Sequence, residues 1–148
     1  MTTFKNFTQK RPIVLIINNT KSGYSEKLKY FFKGKSNIKI FDDNFNMEKI
    51  LKLNPRLVLD INESNKTRGI YINCSNSIIE KIKYIISNNI EIPFIGKHQV
   101  NKNKKLELQL FKTGTPYCYI EFPTSGFEYK TLLKNTLIIL NRIVNYFK

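Results

Sequence analysis

PIVLIINNTKSGYSEKLKYFF, residues 12–32, is the stretch whose reading decides the fold. Residues 12–17 are a short apolar run rich in β-branched side chains, the pattern of a buried strand. Residues 18–23 (NNTKSG) carry turn chemistry. Ser25 then caps a helix running to Gly34, with Tyr24, Leu28, Phe31 and Phe32 on its inner face. A buried strand that feeds a helix is the opening unit of an α/β domain.

Outward from that unit the alternation continues. Residues 37–41 (NIKIF) predict a second strand and residues 47–53 a short helix carrying Met47, Ile50 and Leu51 inward. Residues 56–61 (RLVLDI) predict a third strand, with residues 62–66 a polar loop, and residues 69–73 (GIYIN) a fourth. Ser75 or Ser77 caps a helix reaching Asn88, with Ile78, Ile79, Ile82, Ile85 and Ile86 at helical spacing. Residues 92–95 predict a brief strand, residues 96–105 a basic loop, and residues 106–111, by their alternation, another strand. Residues 116–122 (PYCYIEF) form a further strand, and 123–127 a turn. A long helix closes the chain over residues 128–147, its stripe built from Leu133, Leu137, Leu140, Val144 and Phe147 and widened by Leu132, Ile139 and Ile143. The expected architecture is a single α/β domain over residues 11–148, with a mostly parallel central sheet and helices on both faces, preceded by a polar segment over residues 1–10. Ligands of such sheets sit at the C-terminal ends of the strands, so the segments beginning at Asn18, Asn62 and Pro123 are where chemistry is expected.

Composition bounds the function less tightly. The chain has 148 residues with 11 Phe and 8 Tyr, enough for one packed core. It carries 25 basic against 11 acidic residues, a formal net charge of +14. That balance favours anionic partners, whether polymer, nucleic acid or membrane surface, although lysines scattered along the whole chain also describe a simple solvated surface. An anionic wall polymer is a possible partner; nucleic acid is disfavoured for want of an aromatic stacking motif. Cys74 and Cys118 lack metal-site spacing, Cys118 lies in an apolar run, and a disulfide between them stays open. No stretch has the length of apolar residues that a membrane span needs. Residues 1–10 have no signal-peptide core, so a complete chain is expected to be cytoplasmic; removal of a signal or anchor would point to the cell envelope.

Four segments together carry a resemblance: VLIINNTKSGYSE (14–26), NMEKILKLNPRLVLDINES (46–64), TRGIYIN (67–73) and PYCYIEFPTSGFEYKTLL (116–133). In order and spacing they resemble the zinc-dependent N-acetylmuramoyl-L-alanine amidases, including the sporulation stage II P-type relatives. In that family a first strand ends in a histidine-bearing loop, a helix supplies a glutamate ligand, a later strand ends in a second histidine, and a last strand carries the catalytic glutamate. The resemblance places Asn62 where the second histidine would stand, Glu26 at the glutamate ligand and Glu121 at the catalytic glutamate, with Pro123 replacing a glycine. The first loop offers Asn18, Asn19, Thr20 and Lys21 and no histidine. The chain's one histidine, His98, sits in the basic loop. A catalytic zinc takes three protein ligands from His, Cys, Asp and Glu; uncharged amides and a lysine do not replace them.

What the resemblance implies is therefore an amidase-like domain without metal catalysis, a pseudoenzyme with neither zinc nor any other cofactor. It would bind peptidoglycan fragments or a protein partner in cell-wall or spore metabolism. Glu121 would be the catalytic remnant, and Asn18, Lys21, Glu26, Asn62, Glu63 and Thr124 the ligand contacts. Two alternatives stand beside it. One is an active amidohydrolase with a rearranged site built on Glu26, Glu63 and Glu121. The other is a flavodoxin-like phosphate- or flavin-binding domain, with Lys21 to Ser25 at a helix start as the phosphate loop.

Overall fold

All five residues of the first strand, β1 (Ile13–Ile17), are buried, as an apolar run without polar alternation requires. The structure is a computed structural model and describes residues 11–18, 24–66, 68–74, 78–86, 88–96 and 103–148. The other strands are β2 (Ile38–Phe41), β3 (Leu57–Ser64), β4 (Tyr71–Cys74) and β5 (Tyr117–Pro123). They form one five-stranded sheet in the order β2-β1-β3-β5-β4. Strands β1, β2, β3 and β5 run parallel, and β4 lies antiparallel on β5.

Helices cover both faces. Against one face pack α1 (Tyr24–Phe32) through Leu28 and Phe32, α3 (Ile78–Ile86) through Ile78, Ile82 and Ile86, and α5 (Tyr129–Phe147) through Leu132, Ile139, Leu140, Ile143 and Val144. Against the other pack α2 (Met47–Lys52) through Ile50 and α4 (Lys104–Lys112) through Leu106 and Leu110. The α/β expectation, with a mostly parallel sheet between two helical layers, holds.

Several local expectations are corrected. Residues 106–111 are helix, not strand. Leu106, Leu108 and Leu110 alternate, but only Leu106 and Leu110 are buried, one helical turn apart, while Leu108 and Phe111 face solvent. Strand β3 does not stop at Ile61: Asn62, Glu63 and Ser64 pair in register with Glu121, Phe122 and Pro123 of β5, so these polar residues are strand rather than loop. Asn46 is the N-cap of α2, its side chain accepting from the amides of Glu48 and Lys49. Phe31 turns outward instead of joining the inner face of α1. On α5 the buried stripe is rotated, taking in Asn135 and Thr136 and leaving Leu133, Leu137 and Phe147 only partly covered. The brief strand at residues 92–95 reduces to one parallel bridge, Ile70 to Phe94. Gly69 makes that bridge possible, since a Cβ there would lie 2.5 Å from the Pro93 carbonyl oxygen. The strand order also departs from the all-parallel 2-1-3-4-5 arrangement of flavodoxin-like domains.

Cys74 and Cys118 face each other across β4 and β5 and are joined as a disulfide. The serines at 75 and 77, His98, and most of the basic loop expected after Gly96 lie outside the described residues.

Candidate functional site

The order reverses at β1, with β2 on one side and β3 on the other, so the crevice beyond the ends of β1 and β3 is a topological switch point. Side chains alternate along a strand, and this fixes what lines the crevice. On the α2/α4 face β3 presents Val58, Asp60, Asn62 and Ser64, while β5 presents Tyr117, Tyr119 and Glu121. Val14 and Ile16 of β1, followed by Asn18, and Tyr71 and Asn73 of β4 belong to the same face. A run of polar side chains thus crosses the sheet at one level, above an aliphatic floor.

Asp60 is its centre and is 1% exposed. Its Oδ2 accepts hydrogen bonds from the Tyr117 hydroxyl and from Asn103 Nδ2 at 2.7 Å, and its Oδ1 accepts from Asn62 Nδ2 at 2.9 Å. Asn18 Nδ2 donates to Asn62 Oδ1 and to the Ile61 carbonyl. Burial raises the Asp60 carboxyl above the usual carboxylate range, and the donors from Tyr117, Asn62, Asn103 and Asn18 partly oppose that rise. The Tyr117 hydroxyl is itself pushed far up, first by burial and then by the Asp60 charge. Beside this network the Tyr119 hydroxyl donates to Glu121 Oε2 at 2.6 Å. Burial and that carboxylate drive the Tyr119 hydroxyl well above its ordinary value. Glu121 stands in register with Asn62 on one side and Tyr71 on the other, and Asn73 Nδ2 donates to the Tyr71 hydroxyl at 3.0 Å.

Of the positions singled out in the sequence, Asn18, Asn62 and Glu121 come together here. Glu121 is buried rather than pointing out of the sheet. Glu63 sits at the same strand end but alternates onto the opposite face with Leu59 and Ile61. Thr124 follows β5 directly, its amide bonded to the Ser64 carbonyl at 3.0 Å. Glu26 is exposed on α1 and lines a groove with Tyr30, Leu133 and Leu137, away from the cluster. Lys21 lies outside the described residues. Sequence reasoning missed Asp60, Asn103, Tyr117 and Tyr119. A lone acid inside the apolar run LVLDI and two tyrosines at period two on the neighbouring strand were the available signal.

Among the described residues the arrangement ties β3 to the end of β1, to β5 and to the start of α4. Both cysteines are in the disulfide, and among the described residues no three His, Cys, Asp or Glu side chains converge on a point fit for a metal ion.

No family model matches the sequence, and no curated protein matches it. Among solved structures the fold is similar to that of PbaA from Pyrococcus furiosus, an archaeal homolog of proteasome-assembly chaperone. That likeness has a TM-score of 0.63 at 12% identity and covers 92% of this chain and 82% of that one. It is similar also to PbaB from the same organism, an archaeal proteasome activator, with a TM-score of 0.60, 11% identity, and coverage of 90% and 85%. Pyrrolidone carboxyl peptidase from Thermococcus litoralis matches with a TM-score of 0.63, 9% identity, and coverage of 93% and 94%. These likenesses overturn the resemblance to the zinc amidases, and with it the expectations of peptidoglycan, sporulation and an amidase. At such identities they show a shared α/β fold, one found in a homolog of proteasome-assembly chaperone, a proteasome activator and a peptidase.

Proposed function

We propose that this chain is a protein-binding α/β domain whose strand-end cluster serves to hold the sheet rather than to turn over a substrate. The observation that carries the reading is the state of the switch point. Asp60, Asn62, Asn18, Asn103 and Tyr117 are hydrogen-bonded to one another across four chain segments. The acid and phenol at the centre of that network, Asp60 and Tyr117, are each 1% exposed, whereas a catalytic group must be able to meet a substrate. Likeness to PbaA and PbaB supports the reading, since both bear names that describe work on another protein. The surplus of 25 basic over 11 acidic residues makes the preferred partner surface an acidic one. The reading calls for no cofactor.

A hydrolytic reading has one observation in its favour, the buried Tyr119–Glu121 pair at the end of β5, together with the likeness to a peptidase. One experiment separates the two. The wild-type chain and Glu121→Gln are assayed on peptide and pyroglutamyl-amide substrates, and each is titrated calorimetrically with a partner isolated beforehand by cross-linking to the wild-type chain, which gives Kd. The binding reading expects no turnover from either chain and affinities equal within about twofold. Turnover by the wild type that disappears in Glu121→Gln overturns it.

A further inference from the structure

Strand β4 is the last strand of the sheet, and its outer edge carries a cleft of about 300 Å³ lined by Ile70, Ile72, Lys83, Phe94, Ile95 and Gly96. Two independent observations say which backbone groups point into it. The Ile70 amide donates outward to the Pro93 carbonyl at 2.8 Å, and the Ile70 carbonyl accepts from the Ile95 amide at 2.8 Å. Backbone direction repeats every second residue, so the N–H and C=O of Ile72 and Cys74 point outward as well. The Cα atoms of Cys74 and Cys118 are 4.0 Å apart. That close spacing belongs to the antiparallel pair that exchanges no hydrogen bonds, whose backbone groups face away from the partner strand. Both routes give the same phase.

The chain itself shows how this edge is used. Residues 93–95 lie parallel to β4 and take up both outer groups of Ile70. Gly69 lets them approach that closely. Among the described residues no backbone group takes up the outer N–H and C=O of Ile72. Beside them lie an apolar wall of Ile70, Ile72 and Ile95, the half-exposed ring of Phe94, and a single charged lining residue, Lys83, exposed on α3.

We propose that the β4 edge at Ile72 and Cys74 accepts an extended, acidic segment of a partner protein as a sixth strand. Main-chain hydrogen bonds to Ile72 supply affinity, alternate apolar side chains fill the cleft against Ile95 and Phe94, and an acidic residue meets Lys83. An exposed edge otherwise invites indiscriminate pairing; Lys83 at the cleft of a chain of net charge +14 selects for acidic strands and repels a second copy of the chain. The proposal rests on the protein-binding reading and narrows it to one surface.

The test uses the full chain, labelled with ¹⁵N, and two capped peptides of alternating sequence, Glu-Val repeated and Lys-Val repeated. In the free chain the Ile72 amide should exchange with solvent much faster than that of Tyr71, which faces β5. The Glu-Val peptide should slow Ile72 exchange and shift Ile72, Phe94 and Ile95 resonances, and the Lys-Val peptide should not. Lys83→Glu, an exposed change that leaves the core alone, should weaken the Glu-Val peptide about tenfold and admit the Lys-Val peptide. Ile72→Pro should abolish binding, and Lys83→Glu decides the matter if that variant fails to fold. An Ile72 amide as slow as Tyr71 in the free chain, or Glu-Val binding that leaves Ile72 unprotected, overturns the proposal. A partner held with this edge untouched would sink the edge and leave the protein-binding reading standing.

Discussion

Replacing Tyr117 by Phe tests whether the Asp60 network is what holds the strand ends. Tyr117 is 1% exposed, and its hydroxyl donates to an Asp60 oxygen that also accepts from Asn103 at 2.7 Å. Phe keeps the ring, so no cavity opens on the aliphatic floor of Val58 and Leu110, and the loss is confined to one hydrogen bond to a buried carboxylate. Such a bond contributes about 1.5–3 kcal/mol. For a domain of this size that corresponds to a fall in Tm of roughly 3–12 °C. The pH dependence follows from the raised Asp60 carboxyl, whose ordinary value is 3.8. A folded-state pKa above the unfolded one gives a contribution fully present below the unfolded value and lost as pH rises through the folded one. Removing a donor that opposes the rise moves the folded pKa further up. The variant should therefore resemble the wild type most closely at the acid end, where Asp60 is protonated in both, and fall further behind as pH rises through the raised carboxyl. Urea unfolding followed by far-ultraviolet circular dichroism across that range reads the difference. A loss below about 0.5 kcal/mol at neutral pH, or one that grows toward acid, refutes the reasoning.

Leu110→Ala in α4 should destabilise the chain by about 2–5 kcal/mol, whereas Leu108→Ala, exposed on the same helix, should stay within about 0.5 kcal/mol, as urea midpoints will show. Equal losses would restore the strand reading of residues 106–111. Gly69→Ala places a Cβ 2.5 Å from the Pro93 carbonyl oxygen and should cost about 1–3 kcal/mol. It should also speed amide exchange at Ile70 and Ile95, the two amides of the bridge. Opening the Cys74–Cys118 disulfide frees a loop of sequence separation 44 and should lower stability by up to about 4 kcal/mol on chain entropy. Urea curves with and without a thiol reductant measure this, and an unchanged midpoint after thiol titration confirms full reduction would contradict it.

Some of the molecule was plain in the chain and some was not, and the division follows the range of the interactions. β1 and β5 are apolar runs whose burial needs only their own residues, and α5 announces itself by a long period of three and four. α4 was misread because the leucines at 106, 108 and 110 satisfy a period of two by composition, while burial selects only the two that are a helical turn apart. The end of β3 was misread because Asn62 and Ser64 have turn chemistry, and only the pairing with β5, more than fifty residues on, makes them strand. The Asp60 network was illegible for the same reason. Its donors Asn103 and Tyr117 stand 43 and 57 residues away in sequence, and nothing local marks them as partners of one carboxylate.

The same reasoning explains why an amidase was expected and why the expectation failed. What suggested it was order: a strand ending in a polar loop, a helix opening with Glu26, a strand ending near Asn62, a strand bearing Glu121, and a long final helix. That order is imposed by a sheet built as β2-β1-β3-β5-β4, where every parallel strand must end at the same edge and hand over to a covering helix. Any sequence with this topology will therefore place polar residues at corresponding points whatever its chemistry, so order reports the fold and is silent on the reaction. Chemistry is reported by what those residues bond to. Here Asn62 bonds to Asp60 on its own strand and to Asn18 beyond the end of β1, and Glu121 bonds to Tyr119 on its own strand, contacts that fit the structural role proposed for the cluster. If the cluster is structural, as proposed, function lies on the outer surfaces, and among these the β4 edge has backbone groups aimed outward beside an apolar wall. Recognition by main-chain pairing asks little of side-chain identity, so such an edge leaves little trace in the sequence.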